Sequence, residues 1–343
     1  MLKAESKSWD NLAWINWAKV ICLFIVYFYH AESRSAYYIG RIDDVIEPFF
    51  VNIFFVISGY LIFKKQLKPD VISKSHREWF NSHGYIYLSN ILYKIILPTI
   101  IFGALLYIPK VMVRGGELNL NHFLRHSVGG GGLWFTPALA ISELLLFLLL
   151  LARIVNPIKV FVVSIGLCMV ACVIHNVSPV NFPWYYQTGL CATMFLSFGG
   201  ILYEIEKKRF KNNVEKAREM LWLLAMAVYL SVVLIITPPL TLNIVNVSVL
   251  GILIGLLSIS IIIHYSRKLP QNKIIDRIGR HTLGLYFLSG ALPESLCSIY
   301  RHFGNFNVIA VLVISFLSFV IGIIVNELMV QYIPFLFDLR KIK

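Results

Sequence analysis

The chain has 343 residues, 58% hydrophobic, 14% aromatic and only 14% charged, with a mean hydropathy of +0.73 and a formal net charge of +13. That usage excludes an ordinary soluble domain and points to a polytopic membrane protein. It does not point to nucleic acid, because the cations gather in alternate loops rather than on one basic face.

Ten apolar runs follow one another, near residues 12–30, 48–63, 88–108, 133–152, 158–175, 188–203, 220–236, 245–264, 282–300 and 307–333. The expected fold is all-α: about ten transmembrane helices in one bundle, a single membrane domain over residues 1–343. No internal repeat or low-complexity linker divides it. The polar, amphipathic start MLKAESKSWDNL carries no cleavable leader, so the first run is expected to be retained. With that start inside, 23 Lys and Arg residues fall in inner segments and six in outer ones, while Lys19 and Lys94 lie within spans. Such a split predicts an even number of spans with both termini cytoplasmic, in a multi-pass protein of the cell (inner) membrane. The inner cations also suit an anionic cytosolic ligand such as a nucleotide-bearing cofactor.

The first run holds two costly residues, Lys19 mid-way and His30 at its far end. Eleven residues is about three helical turns, so both project from nearly one face, roughly 16 Å apart. A neutral imidazole at His30 suits a general base towards a hydroxyl, oriented by a carboxylate such as Glu32; the alternative is an interfacial histidine bonded to a loop. Lys19 is too deep to snorkel and suits a phosphate or carboxylate, or a structural ion pair with Glu143, Glu294 or Glu327.

In the second run, FFVNIFFVISGYLIF over 49–63, Ser58 and Gly59 notch a wall of large side chains. Either a neighbouring helix or an extended acyl or pantetheine chain fits such a notch. Next comes the outer loop 109–132, ending in four glycines and holding His122 and His126 at helical spacing. No third metal ligand is apparent, so solvated loop histidines are expected. In LWFTPALAISE over 133–143, Trp134 and Phe135 suit an interface belt, whereas Glu143 within the span calls for a partner. Trp184, Tyr185, Tyr186 and Gln187 at an outer mouth suit either a membrane belt or stacking on carbohydrate. In IGRHTLGLY over 278–286, Arg280 and His281 suit cofactor phosphates or headgroup anchoring. All five cysteines, Cys22, Cys168, Cys172, Cys191 and Cys297, lie in apolar runs without ligand spacing and read as small core residues, with no metal site.

Together, a cation, ten intervening residues and a histidine on the first span, then FFVISGYL, then LWF on the fourth span and IGxxTLxLY near the ninth, resemble the membrane acyltransferase 3 family. The similarity is closest to its polysaccharide and fucose O-acetyltransferase branches and runs in order along nearly the whole chain. It implies that His30 is catalytic, that Lys19 is the basic residue of the same motif, and that no cofactor is permanently bound. It also implies transfer of an acyl group, commonly acetyl from cytosolic acetyl-CoA, to a hydroxyl of a glycan or lipid-linked sugar. Two departures stand out. Where many members carry an Arg-x-x-Arg pair, this chain reads Ser89, Asn90, Ile91, Leu92, Tyr93, Lys94, and where many have a second histidine it has Ser289.

The expected enzyme is thus an acyl-CoA-dependent membrane O-acyltransferase. His30 is its base, oriented by Glu32 or Glu143. Arg277, Arg280 and Lys94 are expected at the cofactor phosphates, and Lys19, Ser58, Gly59 and Tyr60 along the pantetheine path. Trp134, Trp184, Tyr185, Tyr186 and Gln187 are expected to meet the glycan. Its partners would be acyl-CoA, the glycan acceptor and membrane lipids, with a homo-oligomer left open. The rival reading is a transporter or flippase for glycans or lipid-linked sugars, against which stands the lack of an evident repeat.

Overall fold

The computed structural model describes residues 12–178, 180, 183–208, 215–235 and 249–341. Lys3, Lys7, Arg209, Lys211 and Lys343, the ends of the expected spans at 236 and 245–248, and Phe182 lie outside the described residues. All regular structure among the described residues is helical. The main elements are α1 (Ala13–Ser35), α2 (Asn52–Gln66), α3 (His76–Val113), α4 (Leu120–His126), α5 (Phe135–Leu151), α6 (Pro157–Val177) and α7 (Tyr186–Lys208). They continue with α8 (Glu215–Ile235), α9 (Val249–Ser266), α10 (Lys273–Arg280), α11 (Thr282–Ser289), α12 (Ala291–Tyr300) and α13 (Val308–Tyr332).

Five of these, α1, α3, α6, α7 and α13, are long and apolar enough to cross a membrane, and α5 and most of α8 and α9 are shorter apolar helices. Each expected span coincides with a helix, but two are reshaped. The run near 88–108 belongs to a 38-residue helix that starts at His76, outside the apolar stretch. A capping box explains that start: Ser75 accepts from the Glu78 N–H while the Glu78 carboxylate accepts from the Ser75 N–H. The run near 282–300 breaks at Gly290 into α11 and α12, with Pro293 following in the first turn of α12.

Two groups of helices build the molecule. One gathers α10, α11, α12 and α13 around α1, and the other gathers α2, α5 and α6 around α7. Lipid supplies no hydrophobic drive between helices, so close backbone approach and buried hydrogen bonds hold them together. Gly59 of α2 meets α7 so closely that a Cβ there would lie 1.7 Å from the Leu196 carbonyl oxygen, and Gly199 meets Val56 in the same way. On α1, Tyr27 is fully buried and donates to the Leu285 carbonyl at 2.8 Å, and Asn16 donates to Asp276 at 2.9 Å. The glycine of the 278–286 motif has its reason here. A Cβ on Gly279 would meet Asn16 at 2.5 Å, so only glycine lets α10 lie against α1.

Candidate functional site

Two cavities lie along α1, the near one between the two groups and the far one between the α1 group and the segment from α3 to the glycine loop. The near cavity, towards the Ala13 end of α1, has a volume of about 440 Å3. It is walled by Lys19 of α1, by Phe54, Ile57, Ser58, Leu61, Ile62, Lys65 and Gln66 of α2, and by His83, Ile86, Tyr87, Asn90, Lys94 and Ile95 of α3. Phe135, Leu139 and Glu143 of α5 and Thr282, Leu283 and Tyr286 of α11 close it. The far cavity, of about 530 Å3, is lined by His30 and Arg34 of α1, Tyr107 and Lys110 of α3, Arg114 just past its end, His122 and His126 of α4, Trp134, Ser289 and Glu294. Tyr286 lines both. Its phenol oxygen accepts the Phe135 N–H at 3.2 Å, which holds the ring at the junction.

The geometry around each expected residue sorts them. His30 is half-buried on the far cavity, its ring against Tyr29, and makes no hydrogen bond among the described residues. Its charged neighbours are Arg34, Lys110 and Glu294. Glu32 does not orient it. Two residues along a helix is a turn of about 200°, which sends Glu32 to the opposite side of α1. There it is buried, accepts from the Ile39 N–H, and lies beside Asp43, whose carboxyl is pushed up to about 7 by burial and by Glu32 itself. Glu143 does not orient His30 either: it walls the near cavity, where Ser58 donates to it at 2.5 Å.

Lys19 and Lys94 line the near cavity, and so does Ser58, as Glu143's partner. No ion pair to Lys19 exists among the described residues; its Nζ points at the Gly279 carbonyl at 3.5 Å, while Glu294 pairs with Arg114 and Glu327 with Arg277. Lys94 sits in a π-helical stretch, Leu92–Ile96, where the extra residue per turn rotates the side chains relative to a regular helix. Gly59 and Tyr60 are corrections, because neither lines the cavity. Gly59 serves the α2–α7 crossing, and Tyr60 turns away to donate to Glu206 at 2.7 Å and to pack on Trp14 and Tyr203. Arg277 and Arg280 are corrections too: Arg277 pairs with Glu327 at 2.7 Å, both guanidinium-bearing residues are exposed, and neither lines the cavity.

Of the expected glycan contacts, Trp134 alone lines the far cavity. Trp184 donates its N–H to the Gly129 carbonyl at 3.0 Å and Tyr185 its hydroxyl to Gly131 at 3.3 Å, so both brace the glycine loop. Gln187 is fully buried, donating to the Ser178 and Val180 carbonyls and to the Tyr186 hydroxyl and bonded to His175; it ties down the α6–α7 connection.

Several cavity residues had no clear mark in the sequence. Lys110 and Arg114 read as loop cations, but α3 continues through Pro109 and carries them to the far cavity. His126 is not solvated. Its Nδ1–H donates to the Gly103 carbonyl at 2.9 Å, which leaves Nε2 as an acceptor, and burial holds its pKa down to about 4, helped by Lys110. Arg340 pairs with Asp338 at 2.8 Å and also reaches Ser89 and Asn90, at 3.4 and 3.0 Å. A guanidinium thus arrives from the other end of the chain where the local sequence holds one cation, Lys94. Cys168, Cys172 and Cys191 are also brought together, their sulfur atoms within 4.8 Å of one another at the α6–α7 contact.

The described residues thus form an all-helical membrane protein with two cavities that share Tyr286. Compared with family models, residues 12–327 match the acyltransferase domain of the acyltransferase 3 family. The chain belongs to that family and is a membrane acyltransferase. The search of curated proteins and that of solved structures gave no match.

Proposed function

We propose that the protein moves an acyl group, acetyl in the first instance, from cytosolic acyl-CoA to a hydroxyl of a cell-surface or lipid-linked glycan. The observation that carries this reading is the shared wall at Tyr286: one cavity with three lysines and an apolar lining meets another with a histidine, end to end. In this reading the near end faces the cytosol. Lys65 and Lys94 hold the phosphates of the carrier as point charges. The pantetheine arm runs along Phe54, Ile57 and Leu139 past Ser58 and Glu143, and presents its thioester at Tyr286.

The acceptor hydroxyl enters the far cavity. His30 takes its proton as the oxygen attacks the thioester carbon; the new C–O bond forms, the C–S bond breaks, and the proton on His30 passes to the departing thiolate. Reconstitution in liposomes with labelled acetyl-CoA inside and isolated cell-envelope glycans outside tests the reading. Label on the glycan is the expected result. Unmodified glycan crossing the bilayer, with no label transferred, would overturn it in favour of a transporter.

A further inference from the structure

The far cavity carries more positive charge than acyl transfer to a neutral sugar needs. Three cations, Arg34, Lys110 and Arg114, line it against two carboxylates, Glu117 and Glu294, which leaves one positive charge over. The distribution is uneven as well. Glu294 is buried and takes both nitrogens of the Arg114 fork, at 2.7 and 3.0 Å, with Arg34 further off at 3.7 Å. Lys110 is half-buried, and its bonded partner is a neutral one, the Gly132 carbonyl at 3.2 Å. An ammonium has three donors, and a desolvated one without a carboxylate is costly unless a ligand completes it. His126 adds an acceptor beside it and no charge, since its ring stays neutral at ordinary pH.

On the reading given under the proposed function, we infer that the acceptor is acidic: it carries a carboxylate or a phosphate close to the acylated hydroxyl, and Lys110, with Arg34 at its side, binds that group while His30 faces the hydroxyl. A monoanion neutralises the surplus charge of the cavity. It also gives the acceptor a fixed second point of attachment, which orients one hydroxyl among several towards the imidazole.

The test starts from cells that make the protein and cells that lack it, fed labelled acetate. Label gained only in the presence of the protein is followed through enzymatic digestion to the smallest labelled oligosaccharide. We expect that fragment to bind an anion exchanger. Loss of binding after carboxyl reduction identifies a carboxylate, and loss after dephosphorylation identifies a phosphate, including one that links a sugar to lipid. A labelled fragment that passes the exchanger as a neutral sugar overturns the inference and leaves acyl transfer standing. No protein-dependent label in any glycan overturns both. With the purified full chain and that fragment, Lys110→Met should raise KM for the acceptor about tenfold to a hundredfold, the scale of a charge-assisted bond. Lys110→Arg should restore most of it, and KM for acyl-CoA should not move. A Lys110→Met variant that loses kcat alone, at unchanged acceptor KM, would place Lys110 on the reacting atoms only and sink the acidic acceptor.

Discussion

The two cavities differ in what surrounds their charges. In the near cavity the walls are mostly apolar: Lys19 meets a carbonyl, and the one carboxylate of the lining, Glu143, is bonded to Ser58. In the far cavity charges are clustered and paired, with Arg114, Arg34 and Glu294 in one network beside His30. Cations spaced along a mostly apolar wall suit a long, flexible, polyanionic carrier that brings its own charge. A paired network suits holding one small group still. On the proposed reading, the carrier is held at the near end, the acceptor is held and acylated at the far end, and the two meet at Tyr286.

Variants at each end can break that division. The largest effect is expected from His30→Ala, which should lower acyl transfer by about 10²- to 10⁴-fold, the usual contribution of a positioned acid–base group, while leaving folding and acyl-CoA binding intact. Near-normal transfer by this variant would remove the chemistry from the far cavity. Tyr286→Trp should obstruct the junction and cost about 10²-fold, comparable to a misplacement of the reacting groups by an ångström, without changing occupancy of either cavity by its own ligand. If binding of acyl-CoA falls with it, the two cavities do not meet there.

Gly59→Ala sharpens the comparison from outside it. With backbone in the way of the new methyl, it should destabilise the protein by about 1–3 kcal/mol, read as a lower melting temperature, and leave KM for acyl-CoA unchanged in the folded fraction. A selective change in that KM would return Gly59 to the donor path. Lys94→Met should raise KM for acyl-CoA about tenfold and spare that for the acceptor, the mirror image of Lys110. The smallest effect concerns pH. The His126 ring has its pKa held below its ordinary value, down to about 4, by burial and by Lys110, so its contribution to stability is present above about pH 6.5 and is lost as pH falls towards 4. Protection factors against hydrogen exchange over α4, taken relative to the intrinsic rate at each pH, should therefore fall across that window, and His126→Gln, which keeps a donor for the Gly103 carbonyl, should flatten the dependence.

Much of this was legible in the residues alone. Apolar runs of the right length mark the helices, because a backbone in lipid must satisfy its own hydrogen bonds. Lys19, His30 and Glu143 stood out because each is expensive in that setting, and all three face a cavity. What failed was pairing. Glu32 was the obvious partner for His30 by proximity in the chain, yet helical rotation puts it on the other side; Glu294, the carboxylate beside His30, comes from 264 residues further on. Gly59 beside Ser58 read as one notch, yet their side chains leave α2 about 100° apart, one towards α7 and one towards the cavity.

The sequence by itself determined that this is an apolar, all-helical chain of the acyltransferase 3 family, and which few polar residues the membrane would tolerate only for a use, since the cost of burying a charge depends on the residue and its depth. Which of those residues share a cavity, and that Lys110, Arg114, His126 and Tyr286 join them, only the tertiary structure decided. A side chain's direction is set by the rotation of its helix against neighbours far away in the chain, and no local pattern encodes that angle.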